Sequence, residues 1–191
     1  MGKIILVHVD RLHVNRLHVN KLHRKGIKLM EIVFERADVN DAENLIKIRN
    51  QCFYSDYIKY GECPGYNMSL ESMKNSIESG ISYKIICDNW IIGNISIRDN
   101  QDHTYYLACL CVVPEFENKG IGRTAIHFIE NEYSDAVLWT LVTPSDKYRN
   151  HYFYQKSGYK MVKEYMDGLV KVVMFEKRMP ICGEDTNFNT R

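Results

Sequence analysis

Between Thr104 and Arg123 an uncharged run, Thr104 to Val113, stops at Pro114, and the chain passes through Asn118-Lys119-Gly120-Ile121-Gly122 into a helical pattern. The run reads as a buried strand, and the helix is expected over about Lys119 to Tyr133. Gly120 and Gly122 let a ligand approach the backbone, and Asn118 tolerates positive φ. The first-turn N–H groups and the helix dipole face whatever lies there. Lys119 and Arg123 place two positive charges at a helix N-terminus, which the dipole disfavours unless an anion pairs with them. The junction therefore reads as an anion cradle suited to a pyrophosphate, although turns that need glycine for geometry alone give the same spacing. A dinucleotide fingerprint requires G-x-G-x-x-G, and a P-loop requires G-x-x-x-x-G-K-[ST]; the stretch has neither.

The elements around this junction predict one α/β (α+β) domain over residues 30–179. Met30 to Arg36 reads as a strand. Asn40 with Glu43 resembles a capping box opening a helix to about Phe53, with Leu45, Ile48 and Cys52 on one face. A loop, Tyr54 to Tyr66, follows, and Ser69 caps a short helix that Gly80 ends. Strands Ser82 to Cys87 and Trp90 to Arg98 meet at Asp88-Asn89, and Thr104 to Val113 completes an antiparallel meander. After the second long helix come a strand (Ala136 to Val142), a helix (Tyr148 to Ser157) and a hairpin of Tyr159 to Met166 with Val170 to Lys177. The order is βααβββαβαββ. Residues 180–191 read as a polar tail.

Residues 1–29 have a different character. Five-residue units over 6–25 place histidines at 8, 13, 18 and 23, a period that gives neither helix nor strand an apolar face. The stretch to Lys28 holds seven basic residues against Asp10 alone, so its charge is +6 and the remainder carries −5 within a formal net charge of +1. Such an arm could hold a metal or a polyanion, or be a low-complexity leader, disordered or not native to the domain. The balanced total charge argues against nucleic acid or an anionic membrane as the main partner. No apolar run approaches the roughly 20 residues that span a bilayer. Six cysteines without C-x-x-C spacing read as reduced thiols of a cytoplasmic protein, and no metal site is expected.

The run Val112-Val113-Pro114-Glu115-Phe116-Glu117-Asn118-Lys119-Gly120-Ile121-Gly122 resembles the acyl-CoA motif of the GNAT acyltransferases, Q/R-x-x-G-x-G/A after a strand ending V-x-P. His151-Tyr152-Phe153-Tyr154-Gln155-Lys156-Ser157-Gly158-Tyr159 resembles the family's later F-Y-x-K-x-G-F/Y segment. The resemblance covers about residues 30–178. Glu117 departs from it where glutamine or arginine is usual, Asn118 where glycine is common, and Lys147 where the family often has asparagine.

The resemblance implies a mixed, mostly antiparallel sheet of about seven strands, split into a V between Thr104 to Val113 and Ala136 to Val142. Acetyl-CoA, as acyl donor, would lie in the split along Leu110, Cys111 and Val112, with its pyrophosphate on Asn118, Lys119, Gly120, Ile121, Gly122 and Arg123; Lys147 could reach phosphate. It implies N-acetyl transfer to a primary amine by direct attack, a backbone N–H near Leu110 on the thioester oxygen, and Tyr154 protonating the departing thiolate. Cys109 and Cys111 then need not be nucleophiles. Tyr106 falls where several relatives place a glutamate base, so the base is expected to be water, Glu62 or Asp56. Tyr54, Tyr57, Tyr60 and Tyr66, with Asp56 and Glu62, could enclose a cationic amine. A small-molecule acceptor is favoured over a protein; the contrasting reading is a non-catalytic acyl-CoA-binding or sensor module. Homodimers are common in the family, and no residue here demonstrates one.

Overall fold

The computed structural model describes residues 7–8, 18–22 and 30–180. Two short strands, β1 (Val7–His8) and β2 (His18–Leu22), precede β3 (Met30–Arg36). Then come α1 (Ala42–Tyr60), α2 (Leu70–Ser79), β4 (Ile81–Cys87), β5 (Trp90–Asp99), β6 (Thr104–Val112), α3 (Ile121–Glu132), β7 (Leu138–Pro144), α4 (Tyr148–Lys156), β8 (Lys160–Asp167) and β9 (Val170–Arg178). From β3 onward the order is the predicted βααβββαβαββ.

The strands form one sheet ordered β2-β3-β4-β5-β6-β7-β9-β8, with β1 paired to β5. Among the described strands only β6 and β7 run parallel. β2 pairs with β3 although its repeat supplies no apolar face, because ladder hydrogen bonds come from the backbone. The expected character of the rest of residues 1–29, and of 181–191, lies outside the described residues.

Helices cover both faces. Asn94, Ser96 and Lys84 face α1, whereas Phe34 and Tyr83 face α3. There Phe128 stacks on Phe34 (centroids 4.4 Å, interplanar 6°) and meets Tyr83 edge-on at 4.9 Å. Burying each such ring contributes about 1.5–3 kcal/mol. Ile32, Ile85, Ile92, Ile95, Ile129 and Trp139 fill the main core, and Leu45, Met73 and Ile77 seal α1 against α2.

The start and end of α1 differ from expectation. The reciprocal cap lies at Asp38 and Asp41, around a 3-10 turn over Val39–Asp41, in place of Asn40 and Glu43. The helix continues two turns past Phe53 because no glycine or proline intervenes before Gly61, whose φ of 75° closes it. Tyr54, Asp56, Tyr57 and Tyr60 are therefore helical, and only residues 61–69 form the loop. Ser69 does cap α2, accepting from the Ser72 N–H at 3.1 Å. No helix among the described residues is long and apolar enough to cross a membrane.

Candidate active site

Two irregularities in the sheet create the site. β6 pairs with β7 only over Thr104–Tyr106 and Leu138–Thr140, after which the two strands part. Against β5, β6 slips register between Cys109 and Leu107, leaving Ala108 as a bulge. Beyond the bulge the Val113 N–H donates to the Ile92 carbonyl at 2.8 Å. Antiparallel alternation then turns Cys111 and Cys109 toward β5, and turns the N–H and C=O groups of Leu110 and Val112 toward the gap that β7 has vacated. That free edge can accept an extended ligand as an added strand.

The edge runs into the glycine junction. Pro114–Phe116 is a 3-10 turn, Asn118 has φ 59° and Gly120 φ 85°, and α3 starts at Ile121. The first helical bond is Thr124 N–H to Gly120 C=O at 3.1 Å. The six N–H groups from Asn118 to Arg123 have no acceptor among the described residues, which makes this loop a nest of donors at a positive helix end. The two glycines serve different ends. Gly120 supplies the left-handed backbone, whereas a Cβ at Gly122 would lie 3.3 Å from the Phe153 ring, so this glycine makes room for α4.

The charges at the junction are arranged by a residue that sequence reasoning missed. Arg149 of α4 pairs with Glu117 (Nη1 to Oε2, 2.7 Å) and donates from Nη2 to Asn118 Oδ1 at 3.2 Å. The unfavourable carboxylate of Glu117 is thereby neutralised and the loop tied to α4. Lys147 turns elsewhere: its ammonium pairs with Asp56. Lys119 rests over the Phe116 ring at 4.7 Å, and Arg123 is exposed.

Along β6 from the junction, a cavity of about 430 Å³ opens between α1, the parted strands and the β8–β9 hairpin. Its walls include Arg49, Tyr106, Leu110, Val142 and Tyr154. Tyr154, half-buried, packs against Phe153, Tyr159 and Phe175, and its hydroxyl has no hydrogen bond among the described residues. Burial, then proximity to Cys109 and Tyr106, raises its phenol well above the ordinary value of 10.0. Burial also raises Tyr106, which carries Arg98 over its ring at 5.6 Å. Both phenols therefore stay protonated in ordinary buffers.

Cys109 is held well above the usual thiol range by its hydrogen bond to Cys111 and by burial. The bond from Cys109 pulls Cys111 the other way, but its own bond to Cys52 and burial outweigh that. Neither presents a thiolate.

The acceptor side differs from the expected aromatic enclosure. Tyr57 stacks on Tyr66 at 4.6 Å, and Tyr54 leans on Tyr66 at 6.0 Å. Of the four tyrosines only Tyr60 lines the cavity, its hydroxyl donating to Asp146 at 2.5 Å. The reason is the longer α1, which carries Tyr54 and Tyr57 to its outer surface. Glu62 is exposed in the loop and lines the cavity; its Oε1 accepts the Leu169 N–H at 2.8 Å, joining the loop to the β8–β9 turn. Asp56 is buried and held by Lys147. Among the described residues, no cluster of three or more His, Cys, Asp or Glu could hold a metal ion.

A family model described as an acetyltransferase (GNAT) domain matches residues 52–175. The uncharacterized protein YrkN of Bacillus subtilis (strain 168) is 32% identical over 143 residues, covering 71% of this chain and 76% of its own length. PaiA N-acetyltransferase from Thermoplasma acidophilum, solved with coenzyme A, superposes with a TM-score of 0.67 at 21% identity, over 78% of this chain and 99% of that one. The ribosomal-protein-S18-alanine N-acetyltransferase of Escherichia coli gives 0.65 at 12% identity, over 82% and 99%.

Proposed function

The chain belongs to the GNAT acetyltransferase family, and on that premise we propose that it transfers acetyl from acetyl-CoA to the primary amine of a small molecule by direct attack. The observation that carries this reading is the free edge of β6, which leads from Leu110 in the cavity to the six N–H groups of Asn118 to Arg123 that have no acceptor among the described residues. A pantetheine arm pairs with such an edge as a strand would, and a pyrophosphate satisfies such a nest.

Acetyl-CoA, when bound, supplies a thioester whose carbonyl carbon takes the amine nitrogen and whose sulfur leaves with the electron pair of the broken bond. The Leu110 N–H donates to the carbonyl oxygen, where negative charge grows as nitrogen attacks. Tyr154 donates its hydroxyl proton to the sulfur. β6 carries no carboxylate. With Asp56 held by Lys147, Glu62 and the exposed Asp167 are the cavity carboxylates left, and Glu62, whose first oxygen is fixed by the Leu169 N–H, takes the amine proton through its second oxygen. The raised pKa values of Cys109 and Cys111 support direct attack over an acyl-cysteine route. The cavity volume suits the thioester end plus a small acceptor. We place the reaction in the cytoplasm, where the free cysteines of the described residues stay reduced.

The test is CoA release, read with a thiol-reactive dye, from the full chain given acetyl-CoA and a panel of polyamines, amino acids, aminoglycosides and lysine peptides. Release that depends on one small amine is expected. Release only with lysine peptides would overturn the small-molecule acceptor, and silence across the panel with acetyl-CoA bound would overturn the transfer reading. A second expectation concerns the junction: Arg149→Ala leaves Glu117 facing the pyrophosphate unpaired and raises the Kd for CoA about fivefold at low salt. Calorimetry at two ionic strengths checks it, since the effect shrinks as salt screens the exposed charges.

A further inference from the structure

Arg49 lies on the inner side of α1, only 6% exposed, and lines the cavity. Its Nε donates to Asn94 Oδ1 at 2.9 Å, Nη2 to Ser96 Oγ at 3.0 Å and Nη1 to Met68 Sδ at 3.2 Å. All three partners are neutral, and two of the five N–H donors of a guanidinium remain without an acceptor among the described residues.

The other cations withdrawn from solvent each have a carboxylate. Lys84 has Glu35 at 2.7 Å and Asp41 at 3.0 Å, Lys177 has Glu130 at 2.7 Å, and Lys147 has Asp56. A buried charge without a counter-charge is costly, so Arg49 leaves a strong demand for an anion in the cavity. The cavity's own acids do not meet that demand: Asp56 is taken, Glu62 is bound to the hairpin turn, and Asp167 is exposed on β8. The inner wall is thus cationic and the outer rim anionic.

We propose that Arg49 receives a carboxylate of the acceptor, so that the substrate is a compact amino-carboxylate and not a polyamine. The planar fork of arginine matches a carboxylate in shape as well as charge. Such a substrate places its anionic end on the inner wall and leaves its amine toward the rim acids that take up a proton. This inference rests on the acetyl-transfer reading and names its acceptor class.

Its test compares the common amino acids with their own carboxamides as acceptors, acetyl-CoA being saturating. The carboxamide amine is the less basic of each pair and more of it is neutral near pH 7.5, so intrinsic reactivity favours the amide. The enzyme is nonetheless expected to prefer the acid by about a hundredfold in kcat/KM. Arg49→Met should bring that ratio to one or below, and Arg49→Lys should leave it intermediate. A wild-type ratio near one, a preference for diamines, or an advantage for O-phosphoethanolamine over ethanolamine without one for the acids would each overturn the proposal while leaving acetyl transfer standing. If no amine is acetylated, calorimetric titration of the same amino acids into CoA-loaded protein decides. Binding lost in Arg49→Met upholds the carboxylate site and removes the transfer reading; no binding to wild type overturns the site. Should Arg49→Met fail to fold, the wild-type ratio and Arg49→Lys carry the test.

Discussion

Replacing Tyr154 with phenylalanine is expected to lower kcat about a hundredfold while the Kd for CoA stays within about twofold. The substitution removes one oxygen and leaves the ring against Phe153, Tyr159 and Phe175. It breaks no hydrogen bond, because the hydroxyl has none among the described residues, so stability should hardly change. What disappears is a donor in the cavity for a sulfur that acquires charge only as its bond breaks, which is why the loss falls on kcat and spares binding.

The raised pKa sharpens this expectation. A phenol above 10.0 stays protonated through ordinary assay conditions, so its own ionisation adds no falling limb to the wild-type rate below pH 10. The rate should climb with pH as more of the acceptor amine loses its proton. Both proteins should climb in parallel, offset by the lost donor. Turnover in Tyr154→Phe equal to wild type would take this tyrosine out of the reaction. A falling wild-type limb near pH 8 that vanishes in the variant would show that the phenol is far more acidic than its burial implies.

Most of the architecture can be read from local chemistry. Asp88 and Asn89 take φ of 48° and 68°, as a two-residue hairpin requires, and Asn118 and Gly120 take the left-handed backbone that their identities permit. Each of those signals sits within a few residues of the structure it dictates. The reach of α1 was harder to see, because the tyrosines after Phe53 suggest a pocket wall while the absence of any helix breaker before Gly61 decides the matter.

The electrostatic pairs were not legible at all. Glu117 meets Arg149 and Asp56 meets Lys147 across long stretches of chain, and charge spacing along one element carries no information about such partners. Arg49 did leave a trace. It lies on the stripe of Leu45, Ile48 and Cys52, at the spacing that faces the core, and a charged residue on an apolar stripe is a departure worth following.

The largest stability loss from a single added methyl is expected at Gly93 of β5. Gly93 lies opposite Val112 and beside the irregular stretch between β4 and β5, where Ile85 pairs with Gly93 and Ile86 with Ile91. A Cβ there would stand 2.4 Å from the Cys111 carbonyl oxygen, 3.3 Å from Val112 Cα and 3.1 Å from the Ile85 side chain. Two of those three atoms are backbone of β6, so the conflict cannot be relieved by rotating a side chain. Gly93→Ala should cost about 3 kcal/mol, seen as a Tm lower by about 6–12 °C. Gly122→Ala is the control, because its added methyl meets the edge of the Phe153 ring at 3.3 Å, a side chain that can yield. Its cost should be offset by the helix propensity gained at the start of α3, leaving a change of less than about 1 kcal/mol. The contrast bears on function, since the strand that Gly93 would displace is the one whose free edge, at Leu110 and Val112, is proposed to hold the pantetheine. Gly93→Ala protein that remains folded at low temperature should therefore bind CoA more weakly than wild type. Equal melting of the two alanine variants would mean that β6 gives way without penalty, and the rigid edge on which the site depends would have to be abandoned.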